Sequence, residues 1–238
     1  RIIQTVKSAL GVTPESLQNA VVIQNAEDIK NIWTEYFDLG TDYGEISSSF
    51  GGGDYLRECT DYGFGIRILR QESWEALCSF IISQCNNITR IKGIVERLCA
   101  TFGNKTEFCG KTYYTFPTAE KVAELTVEDL AVLRSGYRAE YIIAAAKAVT
   151  NGELDLEALR KTDYRTAIKE LRTVRGIGEK VANCVVLFGL GHMEAFPIDV
   201  WMKRALKENF PSDFEPESLG AYAGLAQQYI FFYARSNG

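Results

Sequence analysis

A Gly-Ile-Gly turn at residues 176–178 joins two stretches with the apolar spacing of helices, Asp163–Val174 and Glu179–Leu190. Glycine lets the chain turn tightly, and the first N–H groups of the second helix have no partner within that helix. Such N–H groups can bind a phosphate without any side chain, because the N-terminal end of a helix is partly positive. The turn therefore predicts a helical pair that can hold a DNA backbone without reading its sequence.

Two residues near this turn can carry chemistry. Lys180 lies just inside the second helical pattern, where the positive end of the helix dipole disfavours an ammonium and makes a neutral amine easier to reach. A neutral amine is a nucleophile. Asp199 precedes the helical pattern Val200–Lys207, and we expect it to cap that helix and stay ionised there. The alternatives are that Lys180 is a solvated surface lysine and that Asp199 is only a structural helix cap.

The segment Gly176-Ile-Gly-Glu-Lys180-Val-Ala-Asn-Cys184, followed by Pro197-Ile-Asp199-Val, resembles the helix-hairpin-helix DNA glycosylases. The resemblance is strongest to the 8-oxoguanine DNA glycosylase/AP lyases, and similar residues extend from about Phe64 to Phe231. It implies a mainly α (α+β) fold with a remnant N-terminal antiparallel β subdomain. It also implies a β-containing subdomain at 1–62 and a helical body at 63–238, with the hairpin at 163–190.

The family resemblance assigns a role to each candidate site residue in the hairpin and the last helix. Lys180 and Asp199 are the expected catalytic residues, and Gly176 and Gly178 form the phosphate-binding turn. Cys184, Gln227 and Phe231 are expected to hold the flipped base. Gln227 and Phe231 are four apart in the helical pattern Leu219–Ala234, so they share one helix face. Plain core packing is the alternative for Cys184 and Phe231.

A second group of residues resembles the family's contacts to the opposite strand. Tyr137 is the expected wedge against the base stack, and Arg90 and Arg138 are the expected contacts to the cytosine left without a partner. Cys85 stands where the family has an asparagine that fills the gap left by the flipped base. Because a thiol is a poor substitute for a carboxamide in hydrogen bonding, Cys85 predicts weaker recognition of the opposite cytosine. Solvated arginines and simple burial of Cys85 are the alternatives.

The remaining patterns favour a helical body. Residues 1 to about 25 alternate like strands, and Gln71–Gln84 is an apolar pattern that predicts a core helix. Thr118–Arg134 predicts two short helices, and Ala139–Val149 predicts a longer one.

Composition limits the class of protein. The net charge is −5, with 26 Lys and Arg against 31 Asp and Glu, which argues against a chain that coats DNA through bulk positive charge. No apolar run has the length of a membrane span, and the start at Arg1 suggests missing upstream sequence. The 6 cysteines show neither a disulfide framework nor an iron–sulfur loop, and there is 1 histidine. We expect an intracellular, reducing location (cytoplasm or nucleoid in a bacterium, nucleus in a eukaryote) and neither cofactor nor metal.

The expected function is excision of 8-oxoguanine opposite cytosine from double-stranded DNA by a monomer, followed by β-elimination through a lysine imine. An endonuclease III-like enzyme for oxidised pyrimidines is a rival, disfavoured by the missing cluster cysteines and by Gln227 and Phe231. The alkyladenine branch is disfavoured because its hairpin lacks the lysine. A non-catalytic DNA-binding hairpin is the third rival, and it would not need Lys180, Asp199 or Cys184.

Overall fold

The computed structural model describes residues 32–51, 53–108 and 111–237, and the predicted strands at 1–25 lie outside these ranges. The described chain forms two compact units. One unit is Glu72–Leu190, and the other contains the described residues on either side of it, 32–71 and 191–237. The predicted division into 1–62 and 63–238 stays a prediction.

Helices account for most of the described residues, as predicted. In chain order the α-helices and strands are α1 (Thr34–Tyr36), α2 (Tyr43–Ser48), α3 (Gly53–Tyr62), α4 (Ser73–Ser83), α5 (Ile88–Phe102), β1 (Lys105–Phe108), β2 (Lys111–Tyr114), α6 (Ala119–Ala123), α7 (Arg138–Thr150), α8 (Leu156–Leu159), α9 (Tyr164–Leu171), α10 (Glu179–Phe188), α11 (Val200–Asn209) and α12 (Ala223–Asn237). Short 3-10 helices cover Asp129–Leu133 and Pro216–Tyr222.

Helix α4 is the core of the unit Glu72–Leu190. The Glu72 side chain begins it by accepting hydrogen bonds from the N–H groups of Trp74 and Glu75. Leu77 and Ile81 are fully buried, and α4 packs against α5, α7, α8 and α10. Each such aliphatic side chain stabilises the fold by about 1.5–3 kcal/mol through removal of apolar surface from water. The prediction of a core helix at Gln71–Gln84 is confirmed.

A two-stranded antiparallel sheet pairs Lys105 with Tyr114 and Phe108 with Lys111. It belongs to the unit Glu72–Leu190 and was not predicted. In the described part of the predicted N-terminal subdomain, 32–51 and 53–62, there are helices and no strand. The mainly α fold class is confirmed, while the predicted N-terminal strands fall outside the described residues.

The other unit is built on α12, which packs against α3 and α11. Aromatic rings fill this contact: Tyr55 meets both Phe210 and Tyr233 edge-on, at centroid distances of 5.7 and 5.6 Å. The last helix was predicted from Leu219 but begins at Ala223, because Gly220 (φ 73°, ψ −154°) interrupts the helical backbone. None of the helices in the described ranges is both long and apolar enough to cross a bilayer.

Candidate active site

The hairpin has the predicted form. Helix α9 begins after Asp163, whose carboxylate accepts hydrogen bonds from Arg165 N and Thr166 N at 3.1 and 3.0 Å, and it ends at Leu171, three residues before the predicted end. Helix α10 begins at Glu179, as predicted. Between them Gly176 adopts φ +90°, a left-handed conformation that favours glycine. Its carbonyl accepts a hydrogen bond from Gln84 Nε2 at 3.0 Å, which ties the turn to the end of α4.

The N-terminal end of α10 is open. Gly178 is its N-cap residue, and no side chain caps the helix. Gly178 and Glu179 are both exposed. The first N–H groups of an α-helix have no partner within the helix, so this end offers donors to an incoming anion. The geometry fits the predicted phosphate-binding turn.

Lys180 is exposed in the first turn of α10. Among the described residues of the unit Glu72–Leu190, no side chain pairs with its amino group. The neighbouring Glu179 instead lies 4.0 Å from Arg172. Cys184, one turn later, is only 4% exposed. Lys180 therefore lies on the solvent-exposed face of α10, and Cys184 lies on its buried face.

The end of α4 carries Cys85 in an unusual backbone conformation. Its φ is +46°, a left-handed value that is uncommon outside glycine, and the residue is exposed. The Arg138 side chain holds this turn: Nε donates to Gln84 O at 2.9 Å, and Nη2 donates to both Gln84 O and Cys85 O. Arg138 is only 3% exposed. Burial and these hydrogen bonds were not foreseen for a residue predicted to contact a base.

Tyr137 and Arg90, like Cys85, are exposed members of the predicted opposite-strand group. Tyr137 is 48% exposed and immediately precedes α7, and its ring lies 4.6 Å from the Arg138 guanidinium carbon. The Arg90 side chain is exposed and donates from Nη2 to Arg134 O at 3.1 Å. Arg97, which no sequence pattern singled out, donates from Nε and Nη2 to the carbonyl of Leu133.

The unit 32–71 with 191–237 contains Asp199, Gln227 and Phe231. Asp199 caps α11 as predicted, since its Oδ1 accepts a hydrogen bond from Met202 N at 2.9 Å. Gln227 is 3% exposed, and its Nε2 donates to Pro197 O at 3.0 Å. Phe231 follows one turn later on the same helix and is half-buried.

The amide of Gln227 is held at both ends. Besides donating to the carbonyl of Pro197, its Oε1 accepts a hydrogen bond from Gln228 Nε2 at 2.6 Å. No other described residue of this unit takes up the second N–H of the amide or the second lone pair of Oε1. A carboxamide fixed in this way is suited to reading the hydrogen-bonding edge of a planar ligand.

No group of three or more His, Cys, Asp or Glu side chains in the described ranges is arranged to hold a metal ion. The expectation that the chain needs no metal stays a prediction.

Residues 78–218 match the family described as HhH-GPD superfamily base excision DNA repair protein. The chain belongs to the HhH-GPD superfamily. Residues 9–77 match a second family, the 8-oxoguanine DNA glycosylase N-terminal domain. The helix-hairpin-helix of the superfamily name corresponds here to α9, the turn 176–178 and α10.

Proteins named as glycosylases are similar to this HhH-GPD chain. The N-glycosylase/DNA lyase of Saccharomyces cerevisiae is 40% identical over 159 residues, which cover 61% of this chain and 42% of the yeast protein. A DNA-3-methyladenine glycosylase of Bacillus subtilis is 33% identical over 175 residues, covering 73% and 58%. The chain therefore spans about half the length of these curated relatives.

A solved structure gives a closer match in extent. It is the Clostridium acetobutylicum 8-oxoguanine glycosylase/lyase in complex with double-stranded DNA containing cytosine opposite 8-oxoguanine. It superposes with a TM-score of 0.83 at 40% identity, and covers 90% of this chain and 77% of that chain. The HhH-GPD fold is thus established. The roles of the individual site residues remain predictions.

Proposed function

We propose that this chain removes 8-oxoguanine paired with cytosine from duplex DNA and then cleaves the strand through a lysine imine. One observation carries the proposal: Lys180 lies in the first turn of α10, next to the uncapped helix end that suits a phosphate, and its amino group pairs with no described side chain of its own unit. A module that only holds DNA has use for the open helix end but not for the amine. The N-glycosylase/DNA lyase name of the yeast relative and the solved glycosylase/lyase complex support the same activity.

In the proposed reaction the damaged nucleotide is flipped out of the duplex and Lys180 attacks its sugar. The Nζ lone pair forms a bond to C1′ while the glycosidic bond breaks, and the base leaves with the electron pair of the glycosidic bond and takes up the proton that the nitrogen loses. The ring oxygen O4′ then leaves C1′ with a proton from solvent, which gives a protonated imine. Loss of a proton from C2′ forms the C2′–C3′ double bond and expels the 3′ phosphate, so the strand is nicked.

We assign Asp199 to stabilise positive charge on the sugar during this reaction. The hydrogen bond from Met202 N fixes one of its carboxylate oxygens at the start of α11. The second oxygen makes no hydrogen bond to the described residues of its own unit. A carboxylate held by one oxygen is oriented without losing its capacity to interact with a cation.

We assign the damaged base to Cys184, Gln227 and Phe231. The Gln227 amide, held by Pro197 O and Gln228, retains a donor and an acceptor for a base edge. An aromatic ring and a polarizable sulfur are suitable surfaces for the faces of a purine. These three residue types favour a flat heterocycle over a sugar or a phosphate.

Trapping with borohydride tests the proposal directly, because the reagent reduces the imine to a stable amine that links protein and DNA. With a duplex carrying one 8-oxoguanine opposite cytosine, the natural chain is expected to form the adduct and to nick the strand. Lys180→Gln is expected to do neither, whereas Lys207→Gln, in the exposed last turn of α11, is the matched control and should do both. Adduct formation by Lys180→Gln would overturn the mechanism.

The same assay separates the rival functions. A non-catalytic module leaves every strand intact, and an endonuclease III-like enzyme prefers oxidised thymine. A 3-methyladenine glycosylase would release that base without forming an adduct. Running 8-oxoguanine opposite each of the four bases measures how strictly the opposite cytosine is read.

A further inference from the structure

The turn 133–135 is held through its main-chain carbonyl groups by arginine side chains. Arg97 donates from both Nε and Nη2 to the carbonyl of Leu133, at 3.1 and 2.7 Å. Arg90 donates from Nη2 to the next carbonyl, that of Arg134, at 3.1 Å. Residues 90 and 97 are seven apart in α5, so they project from one face of that helix. Two arginine side chains on one face of α5 therefore donate hydrogen bonds to two successive carbonyl groups of the turn.

Arg138 holds the third carbonyl and links the turn to α4. Its Nη1 donates to Ser135 O at 3.1 Å, and its other nitrogens donate to Gln84 O and Cys85 O. The same guanidinium thus connects the Cys85 turn with the turn that leads into Tyr137. Because Arg138 is buried and its nitrogens are all engaged, it ties the two turns into one piece.

The turn needs external support because its backbone is strained. Arg134 has φ +54°, which is unfavourable for a residue with a Cβ, and Gly136 has φ +62°. Tyr137 follows directly and projects into solvent. The position of the Tyr137 ring therefore depends on how firmly the preceding carbonyls are held.

Arg90 and Arg97 are not equivalent. Arg90 is exposed and has a single hydrogen bond to the turn, so it can exchange that carbonyl for a nucleobase at low cost. Arg97 is half-buried and has two hydrogen bonds to one carbonyl. When Arg90 turns toward DNA, Arg97 is the residue of α5 that still holds the turn.

Gly93, in the middle of α5, leaves space for the Arg97 side chain to reach the turn. A methyl group on Gly93 would lie 3.1 Å from Arg97 Nη1, tighter than ordinary packing allows. Glycine is unfavourable inside a helix, so its presence one turn before Arg97 needs a reason. Space for the Arg97 guanidinium along the surface of α5 supplies one.

We propose that Arg97 is a positioning residue for opposite-strand recognition: it fixes the 133–135 turn, and through it Tyr137, while Arg90 leaves the turn to contact DNA. This inference rests on the function proposed above. In this proposal Arg97 acts through its hydrogen bonds to Leu133 O and not through a contact of its own with DNA. Its contribution is expected in the flipping step, not in the chemistry at Lys180.

A double-mutant cycle of Arg97→Met and Tyr137→Ala tests the inference, with single-turnover excision of 8-oxoguanine as the readout. Arg97→Met alone is expected to slow excision about tenfold, which is typical of losing hydrogen bonds from a charged donor. In the Tyr137→Ala background the same change is expected to slow it less than twofold, because residues that act together are not additive. Equal effects in both backgrounds would overturn the inference.

Arg160→Met is the matched control for general loosening. Arg160 lies in the same unit, and its Nη2 donates to Ser73 Oγ at 2.7 Å, at the start of α4 rather than near Cys85. Any effect of this change on excision is expected to be the same in both Tyr137 backgrounds.

Gly93→Ala is a milder test of the same inference. Alanine favours the helix, but its methyl group crowds the Arg97 side chain, so we expect slower excision without loss of thermal stability.

Hydrogen exchange separates this inference from the proposed function, because it requires no catalysis. Arg97→Met is expected to speed exchange of the amides of residues 134–137 at least fivefold and to leave those of α10 unchanged. Unchanged exchange at 134–137 would overturn the inference whatever the enzyme does. If the natural chain neither excises nor nicks, the proposed function fails instead.

Discussion

The ring of Tyr141 lies directly against the Cα of Gly176, so a methyl group on that glycine would overlap three carbon atoms of the ring. Gly178, two residues later, has φ −86°, and nothing lies within 4 Å of where its methyl group would be. The two glycines of one turn therefore serve different purposes. Gly176 is required for the fold of the hairpin, and Gly178 leaves open space beside the end of the helix.

We expect Gly176→Ala to destabilise the protein by about 2–4 kcal/mol, because it combines a left-handed residue with overlap against an aromatic ring. Gly178→Ala is expected to cost less than about 1 kcal/mol, since alanine is only a poorer N-cap. Urea unfolding measures both. Gly178→Ala should nonetheless weaken binding of duplex DNA in fluorescence anisotropy, because its methyl group stands where a phosphate approaches. Equal stability losses would contradict this division of roles.

Asp199 allows its role in capping to be separated from its role in chemistry. Asn accepts the same hydrogen bond from Met202 N, so Asp199→Asn is expected to keep the free energy of unfolding within about 0.5 kcal/mol. Asp199→Ala loses the cap and is expected to cost about 1 kcal/mol. Both variants should lose at least 100-fold in excision rate, roughly what a missing charge near a developing cation costs. An active Asp199→Asn enzyme would show that the residue is only a cap.

Local patterns were sufficient for the hairpin and for the cap of α11. The start of α10 and the capping role of Asp199 follow from residues close in sequence, and the structure confirms both, although α10 ends at Phe188, two residues before the predicted Leu190. The strand pair at 105–114 was missed for a physical reason: most of its described side chains are exposed, so no alternation of buried and exposed residues marks it. The break at Gly220 was missed because a single glycine inside a helical pattern is often tolerated.

The environment of the arginines could not be read from the sequence at all. Arg138 reaches the carbonyls of residues more than fifty positions earlier, and Arg97 reaches Leu133 across 36 positions. Acceptors of this kind are main-chain oxygens, which every residue has, so no residue type marks them. Only the packing of α5 and α7 beside α4 brings donor and acceptor together.

Stability is expected to fall in alkaline solution. Burial raises the pKa of the Cys59 thiol to about 12, while in the unfolded chain it returns to the ordinary value of 9.0. Above pH 9 the unfolded state therefore loses a proton that the folded state retains, and stability declines toward pH 12 by at most about 1.4 kcal/mol per pH unit for this group. Burial also raises the pKa of Tyr43, which adds to the decline above pH 10.

Urea midpoints at pH 7.5, 9 and 10.5 measure this decline. Cys59→Ala is expected to lower stability at neutral pH but to give a shallower dependence on pH, because the shifted thiol is gone. Cys85→Ala changes an exposed thiol and serves as the control, with the slope unaltered. A steeper slope in Cys59→Ala would contradict the assignment.

Gln227 is expected to be more sensitive than Gln228 to replacement by a carboxylate. Gln227→Glu places a carboxylate oxygen near Pro197 O and removes the donor, so we expect a loss of about 1–3 kcal/mol together with loss of excision. Gln228→Glu removes the hydrogen bond to Gln227 Oε1 but leaves the Gln227 amide and its hydrogen bond to Pro197 O in place, so we expect a smaller loss of both stability and excision. Thermal melts and nicking assays on the two variants give the comparison. Similar behaviour of both would argue against Gln227 as the base-reading residue.

Cys85 gives a prediction in which stability and specificity rise together. Its φ of +46° is poorly tolerated by cysteine, whereas asparagine adopts left-handed conformations more readily, so Cys85→Asn is expected to raise stability by about 0.5 kcal/mol. A carboxamide also offers a donor and an acceptor where the thiol offers little, so excision opposite cytosine should increase relative to excision opposite adenine. Cys85→Ala keeps the unfavourable backbone without the carboxamide, and it should improve neither property. If Cys85→Asn gains stability but leaves the ratio between opposite bases unchanged, the side chain at this position does not read the opposite strand.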